Sequence, residues 1–425
     1  MRSVHRVHYA WVVFAVTFVA LLGAAGFRSA PSVLIVPLED DFGWSRGAIS
    51  LAVSVNLILF GLIGPFAAAL MARFGLRRVV VTALVVISGG ALATTQMTAV
   101  WQLVVLWGVV VGGGSGCMAT VFAATVANRW FVAHRGVVVG VLTAAGATGQ
   151  LVFLPLLSSL AEHHGWRTVS ITIAVSAVAV VPVVALLLRN NPEDMGLTAY
   201  GAGPDHQTPA PIAHPIRTAL DGFTTARRYG AFWLLMGSFF VCGLSTNGLI
   251  GTHFVAAGMD HGMTETSAAG LLALVGIFDV AGTVASGWLT DRVDARRLLF
   301  AYYGLRGLSL LALDQVLASR NAGLVGFIVF YGLDWVATVP PTVALCSEVF
   351  GRDRGSVIYG WVFAAHQIGA ASAAWGAGFL HELTGGYRIS FVLAGFCCLG
   401  AAAVVPRIGG SVAPSEPALS PAGAA

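Results

Sequence analysis

GWLTDRVDARR, at residues 287–297, is a short charged turn between two long apolar runs. A partial copy, AALMARFGLRR, occupies residues 68–78, and four of its positions match at a constant offset of 219 residues. The matching pairs are Leu70 and Leu289, Arg73 and Arg292, Arg77 and Arg296, and Arg78 and Arg297. The offset is about half of the chain. A repeat this long in an apolar sequence predicts two membrane-embedded halves related by duplication.

The composition is typical of a polytopic membrane protein. Of the 425 residues, 57% are hydrophobic and only 10% are charged, whereas a soluble domain carries about a quarter charged residues. A helix needs about 20 apolar residues to cross a bilayer. Twelve runs meet that requirement, at roughly 9–29, 46–71, 79–97, 101–127, 136–160, 167–188, 230–257, 266–290, 298–317, 322–347, 355–379 and 388–406. The sequence therefore predicts an all-α membrane protein with twelve transmembrane helices in two pseudo-symmetric six-helix halves.

The predicted halves comprise residues 1–188 and 229–407, joined by a linker at 189–228 and followed by a tail at 408–425. Proline and polar residues predict a flexible linker, and the Pro/Ala/Ser-rich tail is predicted to be disordered. Most of the 23 basic residues, all of them arginine, lie on one side of the membrane in this arrangement. The positive-inside rule therefore places both termini and the linker in the cytoplasm. We expect a multi-pass protein of a bacterial plasma or inner membrane.

Twelve helices, a central loop and the turn Gly-x-Leu-x-Asp-Arg-x-x-x-Arg-Arg together resemble the major facilitator superfamily. In that family the turn follows helices 2 and 8 and gates the cytoplasmic side. The resemblance implies this gating role for Gly287, Asp291, Arg292, Arg296 and Arg297. The first copy departs from the family pattern, because Ala68 and Ala72 stand where the family has Gly and Asp. We therefore expect an asymmetric gate.

Shorter stretches are similar to the monocarboxylate transporter family and the related oxalate/formate antiporters. They are GFRS at 26–29, the acidic loop EDDFGWS at 39–45, NRWF at 128–131, and Phe278-Asp279 in predicted helix 8. The resemblance implies a transporter of small organic anions. It also implies a substrate role for Arg28, because a Lys at the matching place in that family holds the substrate carboxylate.

Apart from Arg46 and Arg167, which begin their runs, Arg28 is the one charge within the apolar runs of the first half. A charge near the bilayer centre costs several kcal/mol or more, so it needs a partner, a cavity or a function. A fixed guanidinium in a cavity can bind a carboxylate. Alternatively Arg28 reaches the outer interface, because it lies near the predicted end of helix 1. The 219-residue offset maps Arg28 onto Asn247, a candidate polar partner for substrate or a simple interhelical hydrogen bond.

The second half carries most of the candidate coupling residues. Asp279 is predicted to lie mid-helix 8 and can carry a proton in a low-dielectric setting. The resembling transporters place Arg four residues later, where this chain has Thr283. Arg306 is a candidate substrate ligand and a candidate partner of Asp279, or else a structural lock with Asp314 or Asp334. Asp334 is a second protonation candidate or that structural partner.

Helices 10 and 11 add two further features. Pro340-Pro341 should break or kink helix 10 and free backbone carbonyls that can line a cavity. His366 lies in helix 11, in a stretch that is similar to the antiporter helix carrying a substrate-binding Lys at the matching place. Histidine can bind an anion when protonated or relay protons, but a lone His in a helix is as often structural.

These observations predict a secondary active transporter of small organic anions, with monocarboxylates as the favoured class. Proton symport or anion exchange would drive alternating access. The alternative is a proton-driven exporter of amphipathic small molecules on the same fold, with Arg28 structural. No nucleophile elbow, metal cluster or appended domain is present in the sequence, so we expect no enzyme, cofactor or metal. The expected partners are a small organic anion, protons or a counter-anion, and the bilayer. We expect no nucleic acid, and a functional monomer.

Overall fold

The computed structural model describes residues 8–118, 120–202, 215–319 and 322–409. Most of the predicted tail and residues 203–214 of the predicted linker lie outside these ranges. Within these ranges the chain forms long helices and no β-strand. We number the long helices in chain order as α1 Tyr9–Phe42, α2 Arg46–Phe74, α3 Leu76–Thr94, α4 Val100–Trp130, α5 Arg135–His164, α6 Trp166–Leu187, α7 Gly230–Asp260, α8 Glu265–Thr290, α9 Ala295–Ser319, α10 Ala322–Phe350, α11 Arg352–Thr384 and α12 Arg388–Val404.

The all-α prediction is confirmed by this arrangement. In the part of the chain that is described, nine of the helices contain segments long and apolar enough to cross a membrane. Single glycines with positive φ make the tightest turns between them. Gly75 (φ 87°) joins α2 to α3, and Gly165 (φ 79°) joins α5 to α6. Such angles favour glycine because it has no Cβ, so these turns need only one residue between two membrane helices.

The two halves meet along helices that approach very closely. Helix α2 packs on α11, α5 packs on α8, and α1 contacts α7. A Cβ at Gly61 of α2 would overlap the Gln367 side chain of α11, and a Cβ at Gly378 of α11 would crowd the backbone of Arg46. Small residues at helix crossings allow this close approach in membranes. The bundle has two ends, called here the terminal face, where Arg77 and Arg296 lie, and the Arg46 face opposite.

Helix α1 is longer than predicted, and two other helices contain irregular segments. Helix α1 continues through Pro31 and Pro37 to Phe42, well beyond the predicted end near residue 29. Helices α4 and α7 contain π-helical segments at Val104–Val111 and Leu244–Ile250. Such segments often mark functional positions. The extension of α1 is the important difference, because it places Arg28 in the interior of a helix rather than near its end.

The predicted break in α10 is confirmed. The helix stops at Asp334 and resumes at Val339, immediately before Pro340-Pro341. One part of the linker that was predicted to be flexible is helical in the structure, at Pro215–Ala226. Its Phe223 ring lies 4.8 Å from the Trp361 ring of α11. Proline suits the first turn of a helix, where its missing N–H needs no partner, so a proline-rich linker can still begin a helix.

Candidate substrate-binding and proton-coupling site

Arg28 is exposed although the residues around it in α1 are buried. Its same-face neighbours Ala24, Ser32 and Ile35 are all buried. A lipid-facing arginine would share an exposed stripe with these positions, because residues three, four and seven apart lie on one helix face. The exposure of Arg28 is therefore not part of a lipid-facing stripe. Its place inside α1 also disfavours the alternative in which Arg28 reaches the outer interface from a helix end.

The Arg28 guanidinium has no polar partner among the described residues. The guanidinium lies over the Phe60 ring of α2, with its carbon 5.2 Å from the ring centroid. A membrane-embedded arginine normally pairs with a carboxylate or with backbone carbonyls. No described residue occupies an N–H of Arg28, so these donors are available to a ligand. The arrangement suits a planar anion such as a carboxylate, which can accept two parallel hydrogen bonds from one guanidinium.

His366 lies across the interface between the halves from Arg28. The charges of Arg28 and Arg306 both act on it electrostatically, so the three residues belong to one region. Its imidazole packs against the rings of Phe239, at 4.9 Å, and Phe363, at 5.7 Å. The buried Nδ1 atom has no hydrogen-bond partner within the described structure. His366 therefore has a free polar atom that a substrate or a proton can use.

Asn247 lies in the π-helical segment of α7 and is partly exposed. Its backbone carbonyl accepts a hydrogen bond from Thr252 Oγ1 at 2.9 Å. Its side-chain amide makes no hydrogen bond to another described residue, so the structure offers no partner for the interhelical hydrogen bond considered from the sequence. A substrate role for Asn247 stays a prediction.

Asp279 forms a hydrogen bond with the unwound segment that interrupts α10. Its Oδ1 accepts hydrogen bonds from the Val336 backbone N–H at 3.1 Å and from Thr283 Oγ1 at 3.0 Å. The Ala337 carbonyl of the same break accepts a hydrogen bond from Ser286. An unwound segment inside a membrane is tolerated where its backbone groups find partners in the protein. The residue that replaces the family's arginine, Thr283, thus serves as a hydrogen-bond donor to Asp279.

Arg306 is fully buried and ion-paired with Asp334. Its Nε lies 2.5 Å from Asp334 Oδ2, and the two side chains are 0% and 3% exposed. The guanidinium also donates to the backbone carbonyls of Asp334 and Trp335 in the break of α10, and to Cys242 Sγ of α7. Of the partners considered from the sequence, the structure therefore selects Asp334. A substrate role for Arg306 stays a prediction that requires this pair to open.

The gate turn lies at the terminal face, where α8 ends and α9 begins. Arg292 donates to the Trp288 carbonyl at 3.0 Å and stacks over the Trp288 ring. Arg296 forms ion pairs with Glu348 at 2.8 Å and with Asp294 at 3.3 Å. Gly287 and Asp291 lie at the end of α8, and the Arg297 N–H donates to Asp294. The contacts of the arginines in this copy are therefore made with residues of the second half.

A second charged cluster joins the two halves on the Arg46 face. Arg46 of α2 forms two hydrogen bonds of 2.9 Å to the carboxylate of Asp260 in α7, and binds Glu39 at 2.7 Å. His381 Nε2 lies 3.0 Å from Asp260 Oδ2, and Tyr387 hydroxyl lies 3.3 Å from Arg46. Only 8% of the Arg46 side chain is exposed. This cluster was not predicted from the sequence, although Arg46 is among the few arginines on that side.

We expect that Arg46→Gln will loosen the Arg46 face. The change leaves Asp260 and Glu39 without a cation, and hydrogen bonds to charged groups contribute about 1.5–3 kcal/mol each. A cysteine at Ser50, which is buried beside Arg46 at the same helix crossing, should react roughly tenfold faster with a hydrophilic maleimide. Arg167→Gln is the matched control, because Arg167 lies on the same face and pairs within its own half, with Asp41. Equal labelling of both variants would contradict the expectation.

No group of three potential metal ligands is present among the residues that the structure describes. The site residues form two connected groups. Arg28 and His366 lie in different halves, near enough for the charge of Arg28 to act on His366, while Asp279, Arg306 and Asp334 surround the break in α10. Arg306 connects the groups, because its charge acts on both Asp279 and His366.

Comparison with known proteins gives consistent results. The sequence matches the family model of the Major Facilitator Superfamily over residues 14–358 and 250–424. Relatives include the uncharacterized MFS-type transporter YcxA of Bacillus subtilis (26% identity, 89% of this chain and 90% of the relative). Monocarboxylate transporter 13 of Bos taurus is 27% identical over 93% of this chain and 88% of its own length.

Solved structures share the fold. A D-xylose-proton symporter superposes with a TM-score of 0.73 at 17% identity, covering 93% of this chain and 97% of that one. A bacterial homolog of the human lysosomal transporter Spinster, in an inward-facing and unoccupied conformation, gives a TM-score of 0.72 at 15% identity over 94% and 97%. The predictions of the fold and of a transporter rather than an enzyme are confirmed. The chain belongs to the Major Facilitator Superfamily and is a multi-pass membrane transporter.

Proposed function

We propose that this transporter carries small organic anions of the monocarboxylate class. The observation that carries the proposal is the Arg28 guanidinium, which is exposed on an otherwise buried face of α1 and has no anionic partner among the described residues. The cost of embedding such a charge favours a ligand that neutralises it. The relatives named monocarboxylate transporters, which align with about nine-tenths of the chain, support the same substrate class. His366 and Asn247 are the proposed secondary contacts for the substrate.

We propose that substrate movement is coupled to protons at Asp279, with Asp334 as a second candidate. Asp279 holds the break in α10 through the Val336 N–H, and Asp334 holds it through Arg306. Protonation of either carboxylate would weaken its bonds to this segment, because a neutral carboxyl is a poorer acceptor than a carboxylate. Proton binding would thereby change the packing of α10 against α8 and α9. Exchange of one anion for another is the alternative mode of coupling.

The proposed transport cycle alternates access between the two faces. In the described part of the chain, hydrogen bonds and ion pairs join the halves on the Arg46 face but not on the terminal face. This conformation is therefore closed at the Arg46 face. The excess of arginine on the terminal face supports a cytoplasmic location for that face, in a bacterial inner membrane. Each chain contains both halves of the pathway, which supports a functional monomer.

Asp279→Asn should separate proton coupling from substrate movement. Asparagine retains an oxygen that accepts hydrogen bonds from Val336 and Thr283, but it does not take up a proton at neutral pH. Uptake driven by a pH gradient into proteoliposomes should be lost, whereas exchange of labelled for unlabelled substrate at equal pH should continue. Thr283→Val is the control, because it removes one hydrogen bond and keeps the carboxylate. A variant whose uptake still responds fully to the pH gradient would refute the assignment of Asp279.

A further inference from the structure

A second basic site lies on the terminal face, away from the substrate cavity. A cavity of about 500 Å³ adjoins the α2–α3 turn and the chain that follows α6. Four arginines line it, together with a single carboxylate: Arg73, Arg77, Arg78, Arg189 and Asp194. The cavity is contained in the first half, and the function proposed above does not use it.

None of the four arginines forms an ion pair with another described residue. Arg73 stacks on the Phe74 ring, and Arg189 donates to the Leu186 carbonyl at 2.8 Å. The Asp194 carboxylate already accepts a hydrogen bond from the Asn191 N–H at 3.1 Å. Four positive charges around one carboxylate produce a positive electrostatic potential in the cavity. A bound anion is stabilised by this potential and reduces the repulsion among the arginines. The cavity therefore favours an anionic ligand.

The corresponding turn of the second half contains its own counter-charges. There Arg296, the counterpart of Arg77, is neutralised by Asp294 and Glu348. At the same 219-residue offset, the first half has Gly75 and Arg129 in place of these two acids. Arg129 itself donates to the Met71 and Asn190 carbonyls. At the positions of Asp294 and Glu348 the first half therefore has no carboxylate, and one of the two positions carries an additional cation.

We propose that this cavity binds the phosphate group of an anionic ligand. Guanidinium groups bind phosphate oxygens through paired hydrogen bonds, and basic pockets between membrane helices at the cytoplasmic side bind anionic headgroups. The phosphate belongs either to a membrane phospholipid or to a soluble phosphate compound. Exposed apolar side chains beside the arginines, Phe74 (48%) and Leu186 (68%), offer a surface for acyl chains and favour the lipid source.

The test measures thermal stabilisation of the full chain in dodecyl maltoside and a phosphate-free buffer. The two probes are dioleoylphosphatidylglycerol, with dioleoylglycerol as the neutral match, and inorganic phosphate. The variant is Arg77→Gln with Arg78→Gln, two exposed side chains that pair with no other described residue. The control, Arg227→Gln with Arg228→Gln, removes the same charge from exposed positions outside the cavity.

We expect phosphatidylglycerol to stabilise the unmodified chain and the control, and its apparent affinity to fall at least about tenfold in the Arg77/Arg78 variant. Stabilisation by inorganic phosphate alone, with the same dependence on Arg77 and Arg78, would support the site and assign it to soluble phosphate. The proposal is overturned if neither probe stabilises the unmodified chain. It is also overturned if the Arg77/Arg78 variant and the control respond equally to both probes.

Discussion

Replacing Arg28 by Gln is expected to abolish high-affinity binding of carboxylate substrates. The guanidinium has no anionic partner in the described structure, so the substrate carboxylate would be its counter-charge. Charge-assisted hydrogen bonds contribute about 1.5–3 kcal/mol each, so loss of a bidentate pair should weaken binding roughly 100-fold. Arg28→Lys should retain part of the affinity, because a point charge remains but the planar pair of donors is lost. Equilibrium binding of a labelled carboxylate to purified protein measures the effect.

The same variants separate a binding role from a structural one. Arg28 makes no hydrogen bond to another described residue, and its guanidinium lies over the Phe60 ring. Arg28→Gln should therefore unfold at nearly the same temperature as the unmodified protein. Arg217→Gln, on the exposed linker helix, controls for loss of one positive charge. Unchanged carboxylate affinity in Arg28→Gln would favour an exporter of amphipathic molecules, in which Arg28 is structural.

Asp334→Ala should cause the largest loss of stability. It leaves the Arg306 guanidinium fully buried without its carboxylate, and breaking a buried ion pair by removing one partner costs about 3–5 kcal/mol. The buried guanidinium would then have only neutral partners, among them the backbone carbonyls of residues 334 and 335 in the break of α10. Thermal unfolding in detergent should show a large drop in the transition temperature, while Asp314→Ala, a change at a partly exposed carboxylate on α9, serves as the control.

A double variant, Arg306→Met with Asp334→Leu, tests whether the pair itself is needed. Replacement of both partners by apolar groups of similar size is often neutral for stability. We expect this variant to recover most of the stability lost in Asp334→Ala. If it is stable but has lost its response to a pH gradient, the pair takes part in coupling. If Asp334→Ala is as stable as the unmodified protein, the account of the α10 break is wrong.

The sequence was sufficient for the fold because its signals are local or periodic. Twelve apolar runs and the 219-residue repeat indicate two six-helix halves, and Pro340-Pro341 marks the break in α10. The end of α1 was predicted too early, near residue 29, although the sequence stays largely apolar up to residue 38. The helix continues to Phe42 since hydrogen bonding along a membrane helix tolerates prolines such as Pro31 and Pro37.

The site was harder to predict because its contacts join distant parts of the chain. Asp334 was one of several partners considered for Arg306, and only the structure shows which of them lies at 2.5 Å. The Arg46 cluster joins residues 46, 260 and 381 across both halves, and no sequence period links these positions. Sequence identifies intramembrane charges as candidates, but their pairing depends on how the helices pack.

The most direct test of the central claim is uptake by the purified protein in proteoliposomes. A panel should pair small monocarboxylates with their uncharged amides, such as lactate with lactamide, each measured with and without an imposed pH gradient. Our account predicts saturable uptake of at least one carboxylate, no uptake of its amide, and loss of uptake in Arg28→Gln. Transport that accepts amides and carboxylates equally, and that persists in Arg28→Gln, would contradict it.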